Sequence, residues 1–255
     1  MKIEGKTAVI TGGASGLGEA VARRFTKLGA RVFILDLNPE RGASLAQELG
    51  VNAVFCKTDI SVSEDITQAI DAACEKFGKI DIVVNCAGIS SGMKTAGKKG
   101  PHDLEAFKRV ININLIGIFD VIRQTAYQML NNEINEEGGK GVIISTASIA
   151  AFDGQVGQVA YAASKAALVG MTLPVARDLC GDGIRVCTIA PGLFDTPMMA
   201  GLPEQVRTDL AKTVPFPQKL GDPDEFALLV QQVVENPMLN GETIRLDGAL
   251  RMAPR

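Results

Sequence analysis

The feature that most constrains this chain is order: short β-branched runs alternate with longer helical patterns almost from end to end. The runs over 7–10, 31–35, 53–55, 80–84, 142–144, 184–189 and 242–246 read as buried strands. Between them, apolar residues recur at helical spacing over 17–28, 39–49, 63–77, 104–129, 156–179 and 223–234. Repeated strand–helix–strand order predicts a parallel sheet with helices on both faces, because right-handed crossovers place them there. No low-complexity linker interrupts residues 1–255, so the expectation is one doubly wound α/β domain with a seven-stranded, mostly parallel sheet. Two segments, 90–103 and 191–217, have loop composition; loops of that length inside a compact domain usually carry function.

Composition removes whole classes of activity. Twenty-six Lys and Arg against 29 Asp and Glu leave a net charge of −3, which favours neither nucleic acid nor an anionic membrane. The longest apolar stretch, 166–176, falls short of the ~18 residues of a membrane span, so none is expected. The first five residues lead directly into a strand pattern, which reads as the absence of a leader. Five cysteines without CxxC spacing argue against a disulfide scaffold or zinc ribbon and for a reducing cytoplasm. Among them, Cys86 reads as a small buried hydrophobe. The single histidine, His102, rules out a His-rich metal site and reads as a solvated side chain. Pro174, inside a helical pattern, predicts a local bend.

Three motifs carry chemistry. Thr11-Gly12-Gly13-Ala14-Ser15-Gly16-Leu17-Gly18 lies between the first strand and the first helix. Glycines there allow a tight turn and close approach of a pyrophosphate, whose charge sits at the helix N-terminus. Asp36 ends the second strand, 18 residues beyond Gly18, where a carboxylate can accept from ribose hydroxyls and repel a 2′-phosphate. A turn or helix-capping aspartate is the alternative. Tyr161 and Lys165 are four apart on one helix and share a face, while Ser148 follows a strand at the carboxyl end of the sheet. A lysine one turn away, with a positive nicotinamide, would bring a phenol below its usual ~10 and make it a proton-transfer group. Gln158, three residues before Tyr161, could face substrate or solvent.

These residues resemble the short-chain dehydrogenase/reductase family. The similarity runs from Gly5 to Gly248 through Thr11–Gly18, Asn85-Cys86-Ala87-Gly88, Asn114, Ser148, Tyr161-x-x-x-Lys165, Pro191-Gly192 and Asp247-Gly248. Within the family, the stretches 150–161, 170–179, 190–194 and 236–248 resemble the type 2 3-hydroxyacyl-CoA dehydrogenases, also called type 10 17β-hydroxysteroid dehydrogenases. The loop 90–103 looks shorter than in the animal enzymes. The resemblance implies a Rossmann-type fold, NAD as cofactor and a homotetramer. It implies that Tyr161 exchanges a proton with substrate and that Ser148 holds the same oxygen. Lys165 would bind the nicotinamide ribose, and Asn114 would anchor a water relay by kinking its helix. Gly12, Ser15, Gly16, Leu17, Gly18, Asp36, Asp59, Ile60, Asn85, Ala87, Gly88, Pro191, Gly192, Phe194 and Thr196 would line the cofactor. Ser148, Gln158 and Tyr161 would meet the substrate.

The implied reaction is interconversion of (3S)-3-hydroxyacyl-CoA and 3-ketoacyl-CoA. A dehydrogenase of steroids or other secondary alcohols, a 3-ketoacyl-carrier-protein reductase and a cofactor-binding scaffold remain as alternatives. Lys94, Lys98 and Lys99, in a segment without acids, either greet coenzyme A phosphates or only aid solubility. For the tetramer, the helices 104–129 and 156–179 would pair across a two-fold axis, with Phe107, Val110, Leu168 and Met171 as interface or core.

Overall fold

A computed structural model describes residues 1–98 and 100–254. The chain runs β1 (Thr7–Thr11), α1 (Gly16–Lys27), β2 (Arg31–Asp36), α2 (Pro39–Leu49), β3 (Ala53–Lys57), α3 (Ser63–Phe77) and β4 (Ile82–Asn85). A hairpin, β5 (Ala96–Gly97) and β6 (Gly100–Pro101), precedes α4 (Leu104–Ile111), α5 (Ile118–Met129) and β7 (Gly141–Thr146). Then follow α6 (Val159–Leu179), β8 (Ile184–Pro191), α7 (Pro197–Ala200), α8 (Glu204–Lys212), α9 (Pro223–Glu235) and β9 (Thr243–Leu246).

Seven strands form one sheet in the order β3-β2-β1-β4-β7-β8-β9. Every neighbouring pair in it is parallel, where sequence predicted mostly parallel; the antiparallel pairing is the separate β5–β6 hairpin. From β1 the chain winds outward to β3, then returns to β4 on the other side of β1. That reversal opens a crevice at the carboxyl ends of β1 and β4, the place where ligands bind in such sheets.

The alternation along each strand feeds two cores. Ile10, Ile34, Val84 and Ile144 pack with Phe25 of α1 and Phe226 of α9 on one face. Val9, Phe33, Val83 and Ile143 pack with residues of α3, α5 and α6 on the other. Each fully buried side chain of this size contributes about 1.5–3 kcal/mol. Local signals set the helix starts: Asn38 accepts from the Arg41 N–H at 3.0 Å beside Pro39, and Asp222 and Glu225 form a capping box ahead of α9.

Two readings need correction, one over 191–217 and one over 159–182. The segment 191–217 is not open loop, since α7 and α8 lie within it. No residue of α8 is buried, so it lacks the apolar stripe by which a helix is recognised in sequence. The span 104–129 is helical as read, widening to π-helical bonding over Asn112–Gly117. Of the four residues left as interface or core, Val110 and Leu168 lie in the interior of the chain at 1% exposure each, and Phe107 and Met171 are half-buried. Finally, Val159–Asp182 forms 24 helical residues, long and apolar enough by length and composition to cross a membrane. Scanning for an uninterrupted apolar run missed it, because Lys165, Arg177 and Asp178 interrupt the run without ending the helix. Its inner face packs on β8 and buries Lys165. The helix continues through Pro174.

Candidate active site

The glycine turn lies where β1 meets α1, and its backbone is packed too closely for side chains. A Cβ on Gly18 would stand 2.2 Å from the Gly12 carbonyl oxygen, and one on Gly12 would stand 2.8 Å from Ala87. Gly12 and Gly16 also adopt φ of 63° and 54°, the left-handed region that suits glycine. Ser15 is the N-cap of α1 but makes no side-chain cap, so the first N–H groups of the helix are left without an intrahelical partner. Asp36 ends β2 and braces this turn: its carboxylate accepts from the Ala14 N–H at 3.1 Å and the Asn38 N–H at 3.0 Å. Thr196 closes over the turn, its Cβ 3.5 Å from the position a Gly16 Cβ would take.

The floor of the crevice is a polar row across the sheet, in which Thr11 pairs with Asn85 and Asn85 with Ser145. Asn85 Nδ2 and Ser145 Oγ are buried without a partner. Above them, the fully buried Asn114 accepts from the Ile89 N–H and donates to the Ile89 carbonyl, both at 2.8 Å, and donates to Ser164 Oγ at 3.1 Å. Ser164 in turn donates to the Tyr161 carbonyl at 2.7 Å, a link that sequence reading missed although Ser164 stands beside Lys165. Asn114 lies inside the π-helical stretch, so the expected distortion of its helix is present as a widened turn.

Ser148, Tyr161 and Lys165 converge at the mouth. The Lys165 ammonium donates to the Thr146 carbonyl at 2.7 Å and stands 5.8 Å from the Tyr161 ring centroid. A Cβ on Gly88 would lie 3.4 Å from that nitrogen, so glycine there leaves the ammonium room. Burial pulls Lys165 down to about 8, with the nearby Cys86 thiol opposing. Burial likewise pushes the Tyr161 phenol up, and the Ser148 hydroxyl pulls it partway back. The chain's own groups therefore raise the phenol, because desolvation outweighs a lysine bonded elsewhere; the lowering expected from sequence counts the positive nicotinamide as well. Cys86 is pushed up to about 11 by burial, with Thr146 donating to its sulfur at 3.4 Å, in keeping with an inert packing role.

Other residues expected to line the cofactor also carry structural contacts. Phe194 turns its ring into the core, edge-on to Phe226 at 6.4 Å and against Gly221. Ile60 is buried, with its carbonyl 2.2 Å from the position of a Gly117 Cβ. Asp59 accepts from the Ser61 N–H at 2.9 Å and hydroxyl at 2.7 Å. Leu17 is half-buried, and Pro191 ends β8 with Gly192 just beyond it, its N–H bonded to the Leu246 carbonyl at 2.9 Å.

A cleft of about 320 Å³ at the start of α6 is lined by Met93, Lys94, Gln155, Gly157, Gln158 and Ala162, among others. Gln158 Oε1 accepts from the Gln155 N–H at 3.0 Å. Lys98 is exposed in the hairpin, and Lys99 lies outside the described residues. His102 is half-buried, contrary to expectation: its Nδ1 is 2.7 Å from the Asp103 carbonyl and its ring stacks edge-on with Phe107. No cluster of metal-ligating side chains occurs among the described residues.

The profile of the short chain dehydrogenase family matches residues 6–207, and the chain belongs to that family. It is 57% identical over 254 residues, covering 99% of this chain and 100% of its relative, to a 3-hydroxyacyl-CoA dehydrogenase type-2 of Drosophila melanogaster. A solved 3-hydroxyacyl-CoA dehydrogenase type-2 from Mycobacterium avium superimposes with a TM-score of 0.94 at 41% identity, over 98% of both chains. A 3-ketoacyl-(acyl-carrier-protein) reductase from Brucella melitensis, complexed with NADH, gives 0.87 at 30% identity, over 98% of this chain and 100% of that one.

Proposed function

We propose that this chain is an NAD-dependent dehydrogenase that interconverts (3S)-3-hydroxyacyl-CoA and 3-ketoacyl-CoA. The observation that carries the reading is the convergence of Ser148, Tyr161 and Lys165 at the carboxyl end of a sheet whose second strand ends in Asp36. The 57% identity to a relative of that name supplies the substrate class. The glycine turn suits a dinucleotide, since Gly12, Gly16 and Gly18 present bare backbone and the first N–H groups of α1 lack an intrahelical partner. Gly12, Ser15, Gly16, Leu17 and Gly18 would hold the pyrophosphate, Asp36 the adenosine ribose and Asp59 the adenine. Lys165 and Asn85–Gly88 would hold the nicotinamide end, with Pro191, Gly192 and Thr196 above. When bound, NAD accepts a hydride from the carbinol carbon.

The chain does the rest. Ser148 Oγ donates to the substrate oxygen and fixes its position. Tyr161 takes the hydroxyl proton in oxidation and returns it to the ketone oxygen in reduction. Lys165 keeps a positive charge under the phenol, and Asn114 holds Ile89 and Ser164 in place around it. The cleft beside Gln158 would take the acyl chain.

The outer stripe of α6, with Val159 and Leu173 exposed at 41% and 44%, supports a homotetramer in which this helix meets a second copy. Five unpaired thiols support a reducing, cytoplasmic setting. Light scattering should give about four times 26.9 kDa. Purified protein should oxidise NADH with acetoacetyl-CoA, and Tyr161→Phe should lose about 10²–10⁴-fold in kcat. Equal kcat/KM for free ketones or sterols would overturn the substrate assignment.

A further inference from the structure

We propose that Arg245 is a positioning residue which, with the tail 247–254, fixes the turn carrying Ser148 and the wall of the substrate cleft. The proposal rests on the reading of Ser148 as the residue that holds the substrate oxygen.

Arg245 lies near the end of β9, paired in register with Ala190 of β8. Its Nη2 donates to Asp153 Oδ2 at 2.6 Å and to the Leu250 carbonyl at 2.9 Å, and its Nε donates to Asp247 Oδ2 at 2.7 Å. The guanidinium also lies over the Phe152 ring, 5.1 Å from its centroid. The three charged side chains are only 20%, 18% and 7% exposed, so water screens them weakly. One cation thus ties residues 152 and 153 to a segment some ninety positions away.

The turn is stiff enough to pass that restraint to Ser148. The Phe152 and Asp153 N–H groups both donate to the Ile149 carbonyl at 2.9 Å, and the Ala150 N–H donates to Ser148 Oγ at 3.1 Å. Beyond the turn, the tail takes over: Gln155 Nε2 donates to the Ala253 carbonyl at 2.8 Å and the Val156 N–H to the Pro254 carbonyl at 3.0 Å. Gln155 and Val156 line the cleft. A small apolar cluster of Ile149, Val214 and Leu250, with Leu193 and Met252 against it, joins the turn, the tail and the end of the segment 191–217. The tail therefore reaches the Ser148 turn, the cleft wall at Gln155 and Val156, and the segment 191–217, while the contacts found for the glycine turn do not pass through it.

Arg245→Met, which keeps the aliphatic stem and removes the charge, tests this. Amide hydrogen exchange over 150–158 should accelerate about tenfold or more through local opening. For acetoacetyl-CoA, KM should rise and kcat should fall, with kcat/KM down by about tenfold or more, as expected for misplacement of a reacting group. NADH affinity should stay within about twofold, and Arg245→Lys should recover part of the loss. Ending the chain after Arg251 removes the two tail carbonyls but spares the guanidinium; exchange should then rise at Gln155 and Val156 first. Unchanged exchange over 150–158 in either folded variant overturns the proposal. So does a loss of kcat/KM matched by a loss of folded protein. If Arg245→Met does not fold, the shortened chain decides by the same two readouts. Absence of wild-type turnover would remove the functional reading, and the exchange arm would still decide the positioning.

Discussion

The glycine turn after β1 and the rim beyond Ser148 border the same crevice, but the chain fixes them differently. In the turn, backbone meets backbone at distances that exclude a Cβ, and the residues involved lie within a few positions of one another or on the adjacent strand. At the rim, long side chains reach across the fold: Arg245 to Asp153, Gln155 to Ala253, and the Asp103 N–H to the Met93 sulfur at 3.2 Å. A backbone-built site is rigid and tolerates almost no substitution. A side-chain-built site can be retuned one residue at a time, which suits a surface that sets substrate choice.

Gly18→Ala gives the largest test of that contrast. Helix propensity favours alanine by about 1 kcal/mol, but a Cβ 2.2 Å from the Gly12 carbonyl oxygen cannot be relieved by rotating a side chain. A net loss of about 2–3 kcal/mol and about a hundredfold weaker NADH binding by fluorescence titration are expected; a neutral outcome would break the comparison. Lys165→Met probes the ground between the regions. Because the folded chain lowers this ammonium to about 8, the unfolded chain binds more protons between pH 8 and 10, and stability climbs with pH across that window. Removing the buried charge should therefore stabilise the fold at pH 7 by about 2 kcal/mol while abolishing turnover. Thermal melts should show the advantage shrinking towards pH 10. Asp36→Ala tests the one side chain that braces the backbone-built turn: the preference for NADH over NADPH in kcat/KM should narrow by about tenfold, or 1.4 kcal/mol. Gly97→Ala, in the exposed hairpin where a Cβ meets nothing within 4 Å, should shift stability by less than about 0.5 kcal/mol in a denaturant titration.

The same contrast governs what could be read in advance. The bounds of α2 and α3 follow directly from apolar periodicity with a capping Asn38-Pro39 or a closing Gly78. The glycine turn, Asp36 and the Tyr161–Lys165 pair were legible because each depends on neighbours close in sequence. By contrast, α8 has no buried face to leave a periodic trace, and β5–β6 is two residues a side. The Asp153–Arg245 pair spans 92 positions, and nothing local to either residue announces the other. His102 was misread because a polar neighbourhood in sequence says nothing of Phe107 arriving from the next helix to pack edge-on with its ring.

The widened turn at Asn112–Gly117 also sets the phase of everything that follows it. Val110, Asn114, Ile118, Ile122, Ala126 and Met129 are all buried, a seam recurring every 3.8 residues or so instead of the 3.6 of an ideal helix. A regular helix would carry that seam steadily away from the sheet, and the wide turn absorbs the drift in one place. In genetic terms the stretch behaves as a one-residue insertion that the fold cannot give back. Deleting a residue there would leave a better helix, but it would rotate α5 by about 100° and carry Val121, Ile122 and Thr125 out of the core.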